Sequence, residues 1–253
     1  MKENNIDIIE GRNPIIEALK SEREIDKILI AKGDRNGSVI KIISEAKKRG
    51  IVVQEVERAK LDSMSNTKNH QGVVAYVASA TYVSVDDIVN SAREKGENPF
   101  VIIADEITDP HNLGSLLRTA NAAGAHGVVI PKRRSVGLNS VVAKTSAGAV
   151  EFTPVAKVSN ISSTIDKLKK ENIWVIGADM DGENTIYTQD FSGGVAIVVG
   201  SEGEGISRIV KEKCDFLVRI PMFGEITSLN ASVAGALMIY EVVRSRIERG
   251  EVK

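Results

Sequence analysis

Three short stretches of the chain gather hydroxyl, amide and carboxylate side chains beside glycines or at the mouth of a helix. The last lies in IPMFGEITSLNASVAGALMIYEVVR, residues 220–244, where Glu225, Thr227, Ser228 and Asn230 crowd a loop between a strand end and a long helix. Ser228 and Asn230 can bond a ribose or a carboxylate. Both residue types also cap helices, so the two roles stand together. The second stretch is Gly200-Ser201-Glu202-Gly203-Glu204-Gly205. Its glycines let backbone approach a ligand closely. Its glutamates repel a polyphosphate and suit a ligand carrying positive charge or hydroxyls. No Gly-Lys-Ser/Thr follows, and neither the spacing nor the late position is that of a dinucleotide fingerprint. The first stretch is DEITDPHNLGSLLRTANAAG, residues 105–124. Asn112 is placed to cap a helix, with Ser115 and then Arg118 on its polar face. Free amides at a helix start attract an anion such as an RNA phosphate, and a guanidinium adds a two-pronged clamp. An ordinary capped helix with a solvated arginine fits the same spacing.

Holding these loops together takes strands alternating with helices. Apolar runs predict strands over 100–104, 127–130, 151–155, 173–178, 195–199 and 216–221. Between them, helices are expected at the capped 112–120 segment, at 138–148, 161–170 and 206–213, and finally from Ala231 onward. The last helix carries Val233, Leu237, Tyr240, Val243 and Ile247 at spacings of three and four. Its Ala231, Ala234, Gly235 and Ala236 imply a close neighbour. Strands apolar on both faces imply a mainly parallel sheet covered on both sides, with a loop holding Lys132, Arg133 and Arg134 after the second strand. Residues 79–98 read as a linker with one helix, opened by a Ser84–Asp87 capping box. Residues 1–78 form a smaller α/β unit. It has a helix opened by Asn13-Pro14, strands over 25–31, 51–56 and 72–78, a helix opened by Ser38, and a polar loop over 63–72.

Composition narrows the classes. The 253 residues are 42% hydrophobic and carry 33 basic and 34 acidic side chains, a net charge of -1. That announces no polycation, though a local patch can still hold nucleic acid, and the first 78 residues are the more basic part. Cys214 is the single cysteine, so no intrachain disulfide can form, which fits a reducing compartment. The start, MKENNIDIIEGRN, has no signal-type apolar run, and no run reaches the roughly 18 residues of a membrane span. His70, His111 and His126 are too scattered for a zinc site, and no metal is expected. His111 reads as a turn residue, Cys214 as a half-buried small residue and Trp174 as core.

Taken together, the three loops resemble the SpoU (TrmH) family of RNA ribose 2′-O-methyltransferases in the SPOUT superfamily. The matching residues are Asn112-Leu-Gly with Arg118, Ile197-Val-Val-Gly-Ser-Glu202-Gly, and Ile220-Pro-Met followed by Ser228-Leu-Asn230. The first 78 residues, with Gly11-Arg12-Asn13-Pro14, resemble an L30e-like RNA-binding domain of the rRNA branch, which methylates a guanosine in the peptidyl-transferase region of large-subunit rRNA. The resemblance covers about residues 99–249 in the catalytic part. It implies an α/β fold in which a trefoil-knotted parallel-sheet domain (99–253) follows the L30e-like domain (1–78). It also implies a cytoplasmic homodimer with its active site across the interface. S-adenosylmethionine would be held around Gly200, Ile220, Ser228 and Leu229. Arg118, Asn112, Glu202, Ser228 and Asn230 would be the catalytic set, and Arg12, Lys132, Arg133, Arg134 and Lys144 would meet RNA. The same chemistry on tRNA, or an RNA-binding assembly factor without catalysis, are the competing expectations.

Overall fold

The computed structural model describes residues 8–21, 23–65, 67–225 and 228–251. By its internal contacts the chain divides into two compact units, Met1–Thr81 with Gly137–Ser140, and Tyr82–Val136 with Val141–Lys253.

The first unit runs β1 (Ile8–Glu10), α1 (Arg12–Lys20), β2 (Ile25–Ala31), α2 (Gly37–Lys48), β3 (Val52–Val56), α3 (Arg58–Met64) and β4 (Val73–Val77). Its sheet has the order β1-β4-β2-β3, with only the β2–β3 pair parallel. Ile15, Leu19, Val39 and Ile42 pack on one face with Ile28, Ile30 and Val73. Leu61 of α3 packs with Leu29 and Val74 on the other. Neither Asn13 nor Ser38 caps a helix. Gly11 and Asn36 precede α1 and α2 without side-chain cap bonds. The three expected strands are present, while β1 and α3 are too short to show a periodicity of their own.

The second unit continues with α4 (Val85–Glu94), β5 (Phe100–Ala104), α5 (Pro110–Ala122), β6 (Gly127–Pro131), α6 (Ser140–Thr145), β7 (Val155–Val158) and α7 (Ile161–Lys170). It ends with β8 (Ile173–Ala178), β9 (Asn184–Thr185), β10 (Gly194–Val199), α8 (Arg208–Lys213), β11 (Phe216–Arg219) and α9 (Ala231–Glu248). The order β7-β6-β5-β10-β8-β11-β9 is parallel throughout. Residues of α4, α7 and α8 cover one sheet face through Ile88, Ile165, Leu168 and Val210. The Ser84–Asp87 capping box opens α4 as expected, each side chain accepting from the other's backbone amide.

Three expectations need correction. The strand expected at 151–155 is Val155–Val158, preceded by a 3-10 turn at Ala149–Glu151. Pro154 cannot donate to a ladder, so the strand begins after it. The helix expected over 138–148 shrinks to Ser140–Thr145, because Ala147 and Gly148 turn left-handed at φ 51° and 88°. Trp174 is 52% exposed, since Ile173 and Val175 take the covered face, and its ring lies 5.6 Å from that of Phe216. On α9, Met238, Ile239 and Val242 face the core, and the stripe of Val233, Leu237, Tyr240 and Ile247 is 38–56% exposed. The close neighbour is real: a Cβ on Gly235 would stand 2.7 Å from Leu116 Cδ1 of α5.

Candidate active site

In a parallel sheet, loops at the carboxyl ends of the strands and the helix starts that follow them converge on one edge, where ligands bind. Here β5, β8, β10 and β11 deliver such loops. After β10 the backbone doubles back. Ser201 and Gly205 exchange two amide-to-carbonyl bonds of 3.0 Å, and a Cβ on Gly200 would fall 2.1 Å from the Gly205 carbonyl carbon. Only glycine fits there, and the turn holds Glu202 outward.

The cap of α5 is Asp109, not Asn112. The Asp109 carboxylate accepts from the amides of His111 and Asn112 at 2.6 and 3.3 Å. With Pro110 at the first helical position, the helix starts three residues earlier than the asparagine suggested. The Asn112 side chain, mostly buried, is therefore free to reach across the site. Its Nδ2 donates to Glu202 Oε1 at 3.1 Å, and its Oδ1 accepts from Asn230 Nδ2 at 2.9 Å. Asn230 Nδ2 also donates to the same Glu202 oxygen. Meanwhile Asn230 Oδ1 caps α9, accepting from the amides of Ser232 and Val233 at 3.0 and 3.3 Å. The expected cap is therefore present on Asn230, whose amide nitrogen is turned to Asn112 and Glu202. Asn112, Glu202 and Asn230, one from each stretch, meet in a single hydrogen-bonded triangle.

Beside the triangle lies a cavity of about 280 Å³. Val199, Ile220, Leu229 and Met222 give it apolar walls, the Gly200–Gly205 turn gives it backbone, and Ala231 and Ala234 leave room. Ser228 lines it too, as an exposed hydroxyl. Asp179, Asp181 and Lys211 also line it and were not singled out from the sequence. The available signal was a polar turn, Asp179-Met-Asp-Gly, directly after an apolar strand.

None of the other candidates is bonded to the triangle among the described residues. Arg118 is exposed on α5 and makes no hydrogen bond or ion pair among the described residues, nor does any bond join it to Glu202. Arg134 pairs with Glu106 at 3.1 Å, Arg133 is exposed, Lys132 is half-buried, and Lys144 is exposed on α6. In the first unit Arg12 pairs with Asp34 at 2.9 Å and donates Nε to the Gln71 carbonyl at 3.0 Å. Thr227 falls outside the described residues. His111 belongs to the first turn of α5, its Nδ1 3.3 Å from Thr145 Oγ1. Burial pushes the Cys214 thiol up to about 12, so it holds its proton and supplies no thiolate. Among the described residues no cluster of three His, Cys, Asp or Glu could hold a metal, and no helix is long and apolar enough to cross a membrane.

Residues 99–240 match the sequence profile of the SpoU rRNA Methylase family. The chain belongs to that family. It is a methyltransferase of the SpoU type, as the three loops suggested. Residues 8–83 match the domain described as RNA 2′-O ribose methyltransferase substrate binding, so the two-part fold also agrees with expectation. The YacO protein of Bacillus subtilis (strain 168), assigned by its name to the TrmH family of tRNA/rRNA methyltransferases, is 51% identical over 245 residues. The match covers 97% of this chain and 98% of YacO. A solved RNA 2′-O ribose methyltransferase is 28% identical, with a TM-score of 0.54 over 95% of this chain and 88% of its own. The SpoU methyltransferase AviRb from Streptomyces viridochromogenes, crystallised with AdoMet, shares the fold at TM-score 0.60 and 24% identity, covering 95% and 90% of the two chains.

Proposed function

We propose that the protein transfers a methyl group from S-adenosylmethionine to the ribose 2′-hydroxyl of a guanosine in large-subunit ribosomal RNA. The observation that carries this reading is the Asn112–Glu202–Asn230 triangle at the edge of a cavity built by the same loops, in a chain of the SpoU family. The cavity fits the cofactor. Its apolar walls suit a purine, its turn amides and carbonyls suit polar edges, and its carboxylates suit a cation. Backbone around Gly200, Ile220 and Leu229, with Ser228, would hold it. The bound cofactor supplies an electrophilic methyl on a sulfonium.

The protein's share is alignment and help with the departing proton. Glu202, held from two sides, is fixed in place, and with Ser228 it positions the ribose. Arg118 clamps the phosphate next to the target ribose and lowers the hydroxyl's pKa by its charge. The proton leaves to a phosphate oxygen or to the guanidinium in a transiently neutral form. Arg118 would come from a second copy of the chain. The exposed stripe of α9 and residues Ser115 and Thr119, on either side of Arg118 along α5, line one groove with Ile186 and Tyr187. An apolar stripe of this kind suits a two-fold interface with itself. The C-terminal trefoil knot and action in the cytoplasm complete the reading. Arg12, Lys132, Arg133, Arg134 and Lys144 would hold RNA backbone.

Incubating the protein with S-adenosylmethionine and unmodified large-subunit rRNA, with tRNA in parallel, and mapping alkali-resistant linkages tests this. One new protected guanosine in rRNA is the expected result. Protection in tRNA alone keeps the chemistry and overturns the substrate. If neither RNA is methylated, failure to bind the cofactor would favour a silent assembly factor, and cofactor binding would point to a missing assembly context.

A further inference from the structure

The cavity wall contains an ion pair for which the mechanism above has no use. Lys211 Nζ on α8 stands 2.6 Å from Asp179 Oδ2 at the end of β8, and 3.6 Å from Asp181 Oδ2. The Asp179 side chain is only 10% exposed and that of Lys211 31%. Asp179 Oδ1 also accepts from the Asp181 amide at 3.0 Å, which fixes the turn after β8. Of the described residues lining the cavity, Lys211 is the single basic one, against Asp179, Asp181, Glu202 and Glu204.

We propose that the Asp179–Lys211 pair sets how strongly the cavity prefers the positively charged sulfonium cofactor over the neutral thioether that remains once the methyl has left. The inference rests on the cofactor reading above. S-adenosylmethionine and S-adenosylhomocysteine differ by one methyl and one positive charge. The shape of the cavity can hardly separate them, but its charge can. Paired with Lys211, Asp179 adds no net field, and the remaining carboxylates favour the cation. Removing the lysine leaves the wall one unit more negative. Removing the aspartate charge frees a cation beside the ligand. Hydrogen bonding to Asp179 raises the Lys211 pKa above its ordinary value, so the lysine keeps its charge.

The two ends of one pair therefore predict shifts of opposite sign. Calorimetric titration of the full chain with each ligand, at low and high salt, gives the ratio of their dissociation constants. The parent is expected to favour S-adenosylmethionine, and less so at high salt. Lys211→Met should raise that preference about two- to tenfold and Asp179→Asn should lower it by a similar factor. Lys211→Arg should leave it unchanged. Should Asp179→Asn fail to fold, the Met and Arg variants at position 211 still decide. A parent without preference, or variants that leave the ratio alone or move it in the same direction, overturns the proposal, since a merely structural pair weakens both ligands together. If the folded parent binds neither ligand, the cofactor reading falls and this inference falls with it.

Discussion

Two arginines singled out from the sequence, one in each unit, are treated differently by the fold. Arg12 is spent. Asp34, itself 11% exposed, takes one end of its guanidinium, the Gln71 carbonyl takes Nε, and Ser38 Oγ lies 3.5 Å from Nη1. It ties the start of α1 to the turn after β2 and to the residue before Gly72. Arg118 has no such partner among the described residues and stands exposed beside an apolar groove. A charge whose donors are consumed holds structure, and a charge left idle at a site is available for a ligand. The same contrast recurs among the amides: Asn230 is partly spent on a cap, while Asn112 is spent wholly across the site.

If that contrast is right, substitutions should separate cleanly by readout. The largest effect belongs to Arg118. Arg118→Ala should lower turnover about 10²- to 10⁴-fold, with thermal stability and cofactor affinity near those of the parent. Arg118→Lys should recover only a small part, because an ammonium keeps the charge but loses the planar fork. Near-full turnover by the lysine variant would mean that charge alone suffices. Arg12→Met should behave in the opposite way. It strands the mostly covered Asp34 carboxylate and should cost about 1–3 kcal/mol in denaturant unfolding, with turnover on a minimal RNA little changed. A stable Arg12→Met protein that has lost RNA affinity would instead place Arg12 at the RNA, as its sequence context suggested.

Asn112 and Asn230 refine the comparison at smaller scale. Both fix Glu202, so alanine at either should lower turnover. Only Asn230→Ala also removes the cap of α9, worth about 1 kcal/mol. Chemical unfolding of the two variants side by side checks this. An Asn112→Ala protein that lost as much helix stability as Asn230→Ala would contradict Asp109 as the true cap of α5.

Much of this could be read before the structure. The parallel strands showed as apolar runs, and Ser84–Asp87 declared its capping box. Loops that meet across about ninety residues were visible only as three polar stretches, and what joined them was resemblance, not spacing. What could not be read follows from physics that acts at a distance. Asn112 looks like a cap because capping is local, yet Asp109 three positions before it wins that role beside Pro110 and releases the amide for Glu202. The α9 stripe shows in the sequence as an apolar side, but helical periodicity does not say which neighbour covers it. Asp179, Asp181 and Lys211 converge only when β8 and α8 are side by side, so nothing in their separation of about thirty residues announces a shared wall.

The smallest effect concerns the exposed cations that neither fold nor cavity uses. Arg133 and Lys144 are exposed, without a hydrogen bond or ion pair among the described residues, whereas Arg134 next in line is engaged with Glu106. If idle charge marks RNA contact, then Arg133→Gln and Lys144→Gln should each lower the slope of log affinity against log salt by roughly one unit. They should leave stability and the cofactor ratio alone. Arg134→Gln should shift the slope less, because its charge is already partly neutralised by Glu106. Filter-binding or fluorescence titrations with an rRNA fragment at several salt concentrations would measure all three. Equal slopes for the three variants would break the rule at its weakest point, since it would mean that a surface ion pair with Arg134 79% exposed does not hold the arginine back from a phosphate at all.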